Sequence, residues 1–273
     1  MKDNGILWFS MAFLLAAVQA GCSVNPVTGK RELIFIPESQ EIAMGVQAAP
    51  QFEKEFGGTV PNDRLQGYIQ ELGKKIAAVS DRQMPWDFAL VGSKTPNAFA
   101  LPGGKVFVTA GLFGSLANER QLAAVLGHEI GHVCAKHNVK GLQRQMTAEV
   151  FASVAGKLAG DKAEAAEAAA KIAGNMAVMK YSRDDEYQAD ALGVKYMEKA
   201  GFNPWGMVET LEFLLKLGGS EPSKFEEMFQ THPLTSARVK QAKDKVSAEY
   251  PAYKPTQGDA RAEIFAEMRR LLP

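Results

Sequence analysis

Histidine and cysteine are scarce in this chain, and neither sign of charge prevails. Among 273 residues there are four histidines and two cysteines, and 31 Lys and Arg stand against 31 Asp and Glu, so the formal net charge is zero. Balanced charge removes the basic footprint of a dedicated nucleic-acid binder, and no nucleic-acid partner is expected. Cys22 and Cys134 are too few for the disulfide framework of a small secreted module. With 46% hydrophobic residues the chain can close a sizeable core without covalent staples. The nearly apolar run over 6–20, ILWFSMAFLLAAVQA, is fifteen residues long, which is short for a membrane span.

That run has a different use. Residues 1–21 read as a lipoprotein signal peptide: a short polar start with Lys2 and Asp3, an apolar centre, then Ala20 and Gly21 immediately before Cys22. AGC resembles a bacterial lipobox, in which the cysteine becomes the acylated first residue of the mature chain, although Gln19 stands where Leu is usual. Lipidation at Cys22 is therefore expected, with ordinary secretory cleavage and an uncleaved anchor as the alternatives. Several acyl chains would anchor the protein in the membrane firmly where one is marginal. Ser23 after Cys22 resembles, in the enterobacterial rule, sorting to the outer membrane, with the domain on its periplasmic face. A soluble periplasmic protein is the alternative.

Residues 22–36 read as a tether, with turns at Asn25-Pro26 and Thr28-Gly29 and a possible strand over 33–36. The remainder, 37–273, reads as one folded domain without an internal repeat. Helices are expected over 40–56 and over 61–79, where Leu65, Tyr68, Ile69, Leu72 and Ile76 recur at helical spacing. Segments 86–91 and 105–109 alternate as strands, and 97–104, with Pro102 and paired glycines, reads as a turn beside an extended edge. A helix from Asn118 carries Leu122, Val125, Leu126, Ile130 and Val133 on one face, and further helices are expected over 184–200, 205–217, 233–249 and 259–272. The alanine-rich stretch 142–178 is too charged for a membrane span and reads as two packed helices, or as a flap over a groove.

The chemistry concentrates in His128-Glu129-Ile130-Gly131-His132. Residues four apart share a helix face, so both imidazoles can reach one ion, and neutral imidazole nitrogen suits zinc. Glu129, beside the first ligand, can address a metal-bound water and take its proton as it attacks a peptide carbonyl. A catalytic zinc normally has three protein ligands. In 184–200, Glu186 and Asp190 are again four apart, so Glu186 can ligate while Asp190 accepts the outer N–H of a ligating histidine. On spacing alone Asp184, Asp185, His137 and His232 stay open as further candidates. Cys134, two residues beyond His132, points away from the ligand face and reads as a buried thiol.

HEIGHVCAKH, YSRDDEYQAD and THPLTSAR, with NAFALPGGKVFVTAGL before them, resemble the zinc endopeptidase family that contains the membrane protease HtpX and the CAAX prenyl protease. Together with CSVNPVTGKRELIF, the pattern is similar to the family's short periplasmic lipoprotein branch. The resemblance implies an α+β fold, a mostly helical gluzincin-like metalloprotease domain with a small β-sheet bordering the cleft, and one Zn2+ per chain. It implies His128, His132 and Glu186 as zinc ligands, Glu129 as general base, and Asp190 behind the ligands. It further implies that Asn97, Ala98, Phe99 and Ala100 border the substrate. His232 would lie near the zinc, blocking or tuning its open position, and Arg238 would organise the site or help an oxyanion. The expected activity is zinc-dependent endopeptidase cleavage of misfolded or exposed envelope proteins. The alternative is an assembly chaperone or binding protein that uses the same groove with little turnover.

Overall fold

The computed structural model describes residues 22–34, 36–145, 161–220 and 225–273, with positions 153, 156, 157 and 223 besides. The expected signal peptide and the middle of the alanine-rich stretch lie outside these residues. A three-stranded sheet organises the domain. Strands β3 (Asp87–Val91), β4 (Ala98–Leu101) and β5 (Lys105–Thr109) stand in the order β3-β5-β4, with β5 parallel to β3 and antiparallel to β4. The segment expected as a turn is thus itself the edge strand. All four residues of β4 are buried, so the alternation that marks a half-exposed strand is missing. The turn shrinks to 102–104, where Gly103 and Gly104 have φ of 80° and 91°, the region glycine enters without steric cost.

Each face of the sheet supports its own apolar cluster. One side packs Phe99 and Phe107 with Phe52 of α1 (Glu38–Glu55) and Ile172 of α6 (Lys162–Ala177). The other packs Val106 and Val108 with Leu72 of α2 (Asp63–Ala77) and Leu126 of α4 (Glu119–Cys134). A short helix α3 (Ala110–Ser115) leads from β5 into α4, and α5 (His137–Gln145) follows it. The α4 helix is capped by Asn118, whose side chain accepts from Gln121 N–H, and all of its residues are buried. Helix α7 (Arg183–Lys199) opens on a capping box between Ser182 and Asp185. It lies close along α4, because small residues face each other: a Cβ on Gly127 would stand 3.2 Å from Gly193 Cα.

Helices α8 (Trp205–Ser220), α9 (Glu226–Thr231), α10 (Ser236–Glu249) and α11 (Ala262–Arg270) complete the body, giving the mostly helical α+β architecture expected. Residues expected as a tether form an antiparallel hairpin, β1 (Cys22–Val24) and β2 (Arg31–Leu33). Asn25 ties it down by donating from Nδ2 to Ala135 O at 3.2 Å, beyond the end of α4. Among the described residues no helix is long and apolar enough to cross a membrane.

Candidate metal centre

Three elements deliver the polar groups to one buried place. Helix α4 supplies His128, Glu129 and His132, α7 supplies Glu186 and Asp190, and the turn between α9 and α10 supplies His232 with Arg238 following it. Among the described residues, His128, His132, Glu186 and His232 form one group whose ligand atoms all lie within 4.8 Å of one another. His128 Nε2 and His132 Nε2 are 3.0 Å apart, and Glu186 Oε1 is 3.3 Å from the latter. Four donors around zinc at 2.0–2.2 Å stand roughly 3.3 Å from each other, so this spacing fits one ion.

Proton placement agrees. Asp190 Oδ1 lies 2.9 Å from His128 Nδ1. A carboxylate only accepts, so Nδ1 carries the hydrogen and Nε2 turns a lone pair to the centre. Burial alone would raise the Glu186 carboxyl, yet His232, Arg238 and His128 around it hold it well below the usual range, ionised and ready to ligate. Asp190 is likewise held down against its burial, chiefly by Arg238. Burial pushes the His132 ring well below the ordinary histidine value, which favours its neutral form.

Glu129 is placed differently. Burial raises its pKa against the pull of His232 and His128, and its Oε2 is buried with no hydrogen-bond partner. A carboxylate with one oxygen free of hydrogen bonds suits proton transfer. His232 Nδ1 is 3.0 Å from Glu186 Oε1 and 3.4 Å from His128 Nε2, and its Nε2 is 3.8 Å from Glu129 Oε1. Burial works against protonating His232, but the Glu186 and Glu129 carboxylates outweigh it and raise its pKa. Arg238 faces the carboxylates of Asp190 and Glu186, which favours the organising role over contact with an oxyanion.

A cavity of about 30 Å3 adjoins the centre, lined by Ala98, His128, Glu129, Leu211, Met228 and His232 among others. That is the space of about one or two waters. Ala98 brings the sheet edge to this cavity. Thr109 N–H donates to Asn97 O, so in the β4–β5 register Ala98 and Ala100 turn their backbone groups outward. Asn97 is buried, and Thr109 Oγ1 accepts from its N–H at 2.9 Å. Asn138 Nδ2 donates to Ala100 O and ends the edge there. Phe99 points into the aromatic cluster with Phe52 and Phe56 instead of toward the cavity.

Spacing left three neighbours of the centre unassigned. Tyr181 stacks on His132 at 3.9 Å between ring centroids, and His137 and Asp185 line up behind the same ring. Cys134 is buried as expected, and burial raises its thiol.

Buried His128, His132, Glu186 and His232 beside the Glu129 carboxylate, on helices next to a small sheet, form a group that could hold one metal ion in a gluzincin-like α+β fold. The chain belongs to Peptidase family M48, whose profile matches residues 63–246. It is 31% identical over 242 residues to the beta-barrel assembly-enhancing protease of Yersinia pestis, covering 85% of this chain and 48% of that protein. It is 28% identical over 237 residues to the mitochondrial metalloendopeptidase OMA1 of Schizosaccharomyces pombe, covering 80% and 65%. Over 189 residues it is 28% identical to the metalloprotease LoiP of Escherichia coli, covering 68% and 71%. The chain spans about half the length of the beta-barrel assembly-enhancing protease it matches.

Proposed function

We propose that this protein is the catalytic unit of an envelope endopeptidase of the short periplasmic lipoprotein branch, anchored through Cys22 and acting on misfolded or exposed segments of envelope proteins. The observation that carries the reading is the convergence of His128, His132 and Glu186 beside an orphaned Glu129 carboxylate, in a cavity bordered by the β4 edge. His128, His132 and Glu186 would hold the ion. Zinc there would polarise a peptide carbonyl and lower the pKa of a water. Glu129 takes the proton from the attacking water and returns it to the leaving amine. Ala98 O and Ala100 N–H face outward from β4 toward an extended segment, which would bind as a short added strand. Ala98 N–H is held by Asn97 Oδ1, and Ala100 O by Asn138 Nδ2. Such binding needs unfolded backbone and reads little of the side chains, in keeping with misfolded substrates.

The test is time-resolved mass spectrometry of an unfolded protein mixed with the zinc-loaded chain, with folded Glu129→Gln as control. Products made by the parent and absent with the variant support the reading; identical digests from both overturn it.

Two observations favour a second role, assembly or binding through the same groove with little turnover. The cavity beside the centre is narrow, about 30 Å3, and His232 stands within the same group as the ligands. The Yersinia pestis relative, a beta-barrel assembly-enhancing protease, likewise couples assembly with proteolysis in its name. If Glu129→Gln restores envelope assembly in a deletion strain as well as the parent does, the groove acts by binding; if it does not, by cleavage.

A further inference from the structure

His137 is the one histidine outside the ligand group, and it lies against that group. Its position demands an unusual backbone. On a continuous helix the fifth residue after His132 would lie about 140° round the axis, on another face. Helix α4 instead ends at Cys134, and Lys136 takes φ 59°, a left-handed conformation that a lysine rarely adopts. The chain then enters α5 at His137, and His137 Nδ1 arrives 3.0 Å from His132 Nδ1.

Two nitrogens at that distance need either a hydrogen between them or an ion that takes both lone pairs. With a metal bound, His132 Nε2 and His128 Nε2 are the second case and the two Nδ1 atoms the first. The far side of the His137 ring decides which of these Nδ1 atoms carries the hydrogen. His137 Nε2 is 2.9 Å from Gln188 Oε1 and 3.3 Å from Asp185 Oδ1. An ionised carboxylate only accepts, so Nε2 carries the hydrogen of a neutral His137 and Nδ1 keeps a lone pair. The hydrogen between the rings therefore belongs to His132 Nδ1. It follows that His132 Nε2 is left with its lone pair directed at the centre. Asp185 is itself held, because its Oδ2 accepts from Ser182 N–H at 3.0 Å and from Ser182 Oγ at 2.7 Å in the capping box.

We propose that His137 is a positioning residue, the middle member of a relay Asp185/Gln188–His137–His132 that fixes the tautomer of His132 and so its ability to ligate. The two ligand histidines are thus oriented by different means: a carboxylate directly behind His128, and a second imidazole between His132 and its carboxylate. Loss of an outer hydrogen-bond partner of this kind lowers metal affinity about 10- to 100-fold. The inference rests on His132 being a zinc ligand, as proposed above.

The test uses the full chain and two readouts. Imidazole 15N shifts of the zinc-loaded protein report which nitrogen of His132 carries hydrogen and which faces the metal. Zinc affinity is measured by competition with a chromophoric chelator. The parent should show His132 as the Nδ1–H tautomer. His137→Leu, which offers no acceptor, should lose that preference and bind zinc about 10- to 100-fold more weakly. His137→Asn, whose Oδ1 can replace Nδ1 as acceptor, should restore both. A parent His132 in the Nε2–H form, or equal losses for His137→Leu and His137→Asn with circular dichroism like the parent's, overturns the relay. Failure of the parent to bind zinc would overturn the relay together with the metalloprotease reading, whereas a parent that binds zinc and a His137→Leu variant that binds it equally well would overturn the relay alone.

Discussion

Arg238 holds Asp190 in a two-pronged grip, donating from Nε to Oδ2 and from Nη2 to Oδ1, each at 2.7 Å. Its Nη1 meets Glu186 Oε2 in the same plane of contacts. One guanidinium thus bridges the two α7 carboxylates that face the histidines, its single charge shared between them. Breaking a buried ion pair from one side leaves charge stranded and typically costs 3–5 kcal/mol. Arg238→Met should therefore lower the stability of the metal-free protein by roughly 3–5 kcal/mol in urea unfolding. Arg238→Lys should recover only part, because an ammonium cannot reproduce the fork. A loss below about 1 kcal/mol, the size of an exposed pair, would show that the pair contributes little.

The spacing of ligands on two helices depends on how closely those helices lie. A Cβ built on Gly131 would stand 2.9 Å from Ala189 O and 3.1 Å from Ala189 Cα, which are backbone atoms that cannot swing aside. At an exposed helix position Gly→Ala gains about 1 kcal/mol. Here overpacking, typically 1–3 kcal/mol, should win. Gly131→Ala should then lower Tm by about 2–8 °C and weaken zinc binding by moving α7 away from α4. A Tm at or above the parent's would mean the helices separate without strain.

These contacts show where sequence reasoning reaches and where it stops. His128, Glu129 and His132 were legible because one helical turn fixes their geometry, and Glu186 with Asp190 for the same reason. Choosing that acidic pair over Asp184 and Asp185 needed the family resemblance, because spacing treats the candidates alike. The partners of Arg238 were not legible, since 48 residues separate it from Asp190 and only the packing of α10 on α7 joins them. His137 was among the candidates left open, but its place behind the His132 ring depends on the left-handed Lys136, which no helical wheel anticipates. Strand β4 was hidden by burial on both faces, which erases the period-2 signal.

Away from the centre, Asp81 links the loop after α2 to α7: Lys195 Nζ donates to both its oxygens at 2.7 and 2.9 Å, and Tyr196 Oη donates at 2.7 Å. Burial would raise its pKa, but these donors prevail and lower it from 3.8. A carboxyl depressed on folding adds stability that is full above its unfolded pKa and is lost as pH falls through the lower folded one. Asp81→Asn should accordingly be less stable than the parent at pH 7 in urea unfolding. The difference should begin to shrink once pH drops below about 4. A gap that stayed constant down to pH 2 would place the benefit in shape or hydrogen bonding, not charge.

His232 lies 3.0 Å from Glu186 Oε1 and is buried along the wall of the cavity beside the centre. If this side chain holds the site closed at rest, removing it should release activity. His232→Ala is expected to raise the rate of unfolded-protein cleavage about tenfold, equivalent to about 1.4 kcal/mol of closing free energy removed. Adding Glu129→Gln should abolish the gain, because the released activity still needs its base. A fall of about 100-fold or more in kcat would reverse the assignment, since that is the size of effect seen when a donor to developing negative charge is lost. The same assay therefore tells a closing residue from a catalytic one by the sign of the change alone.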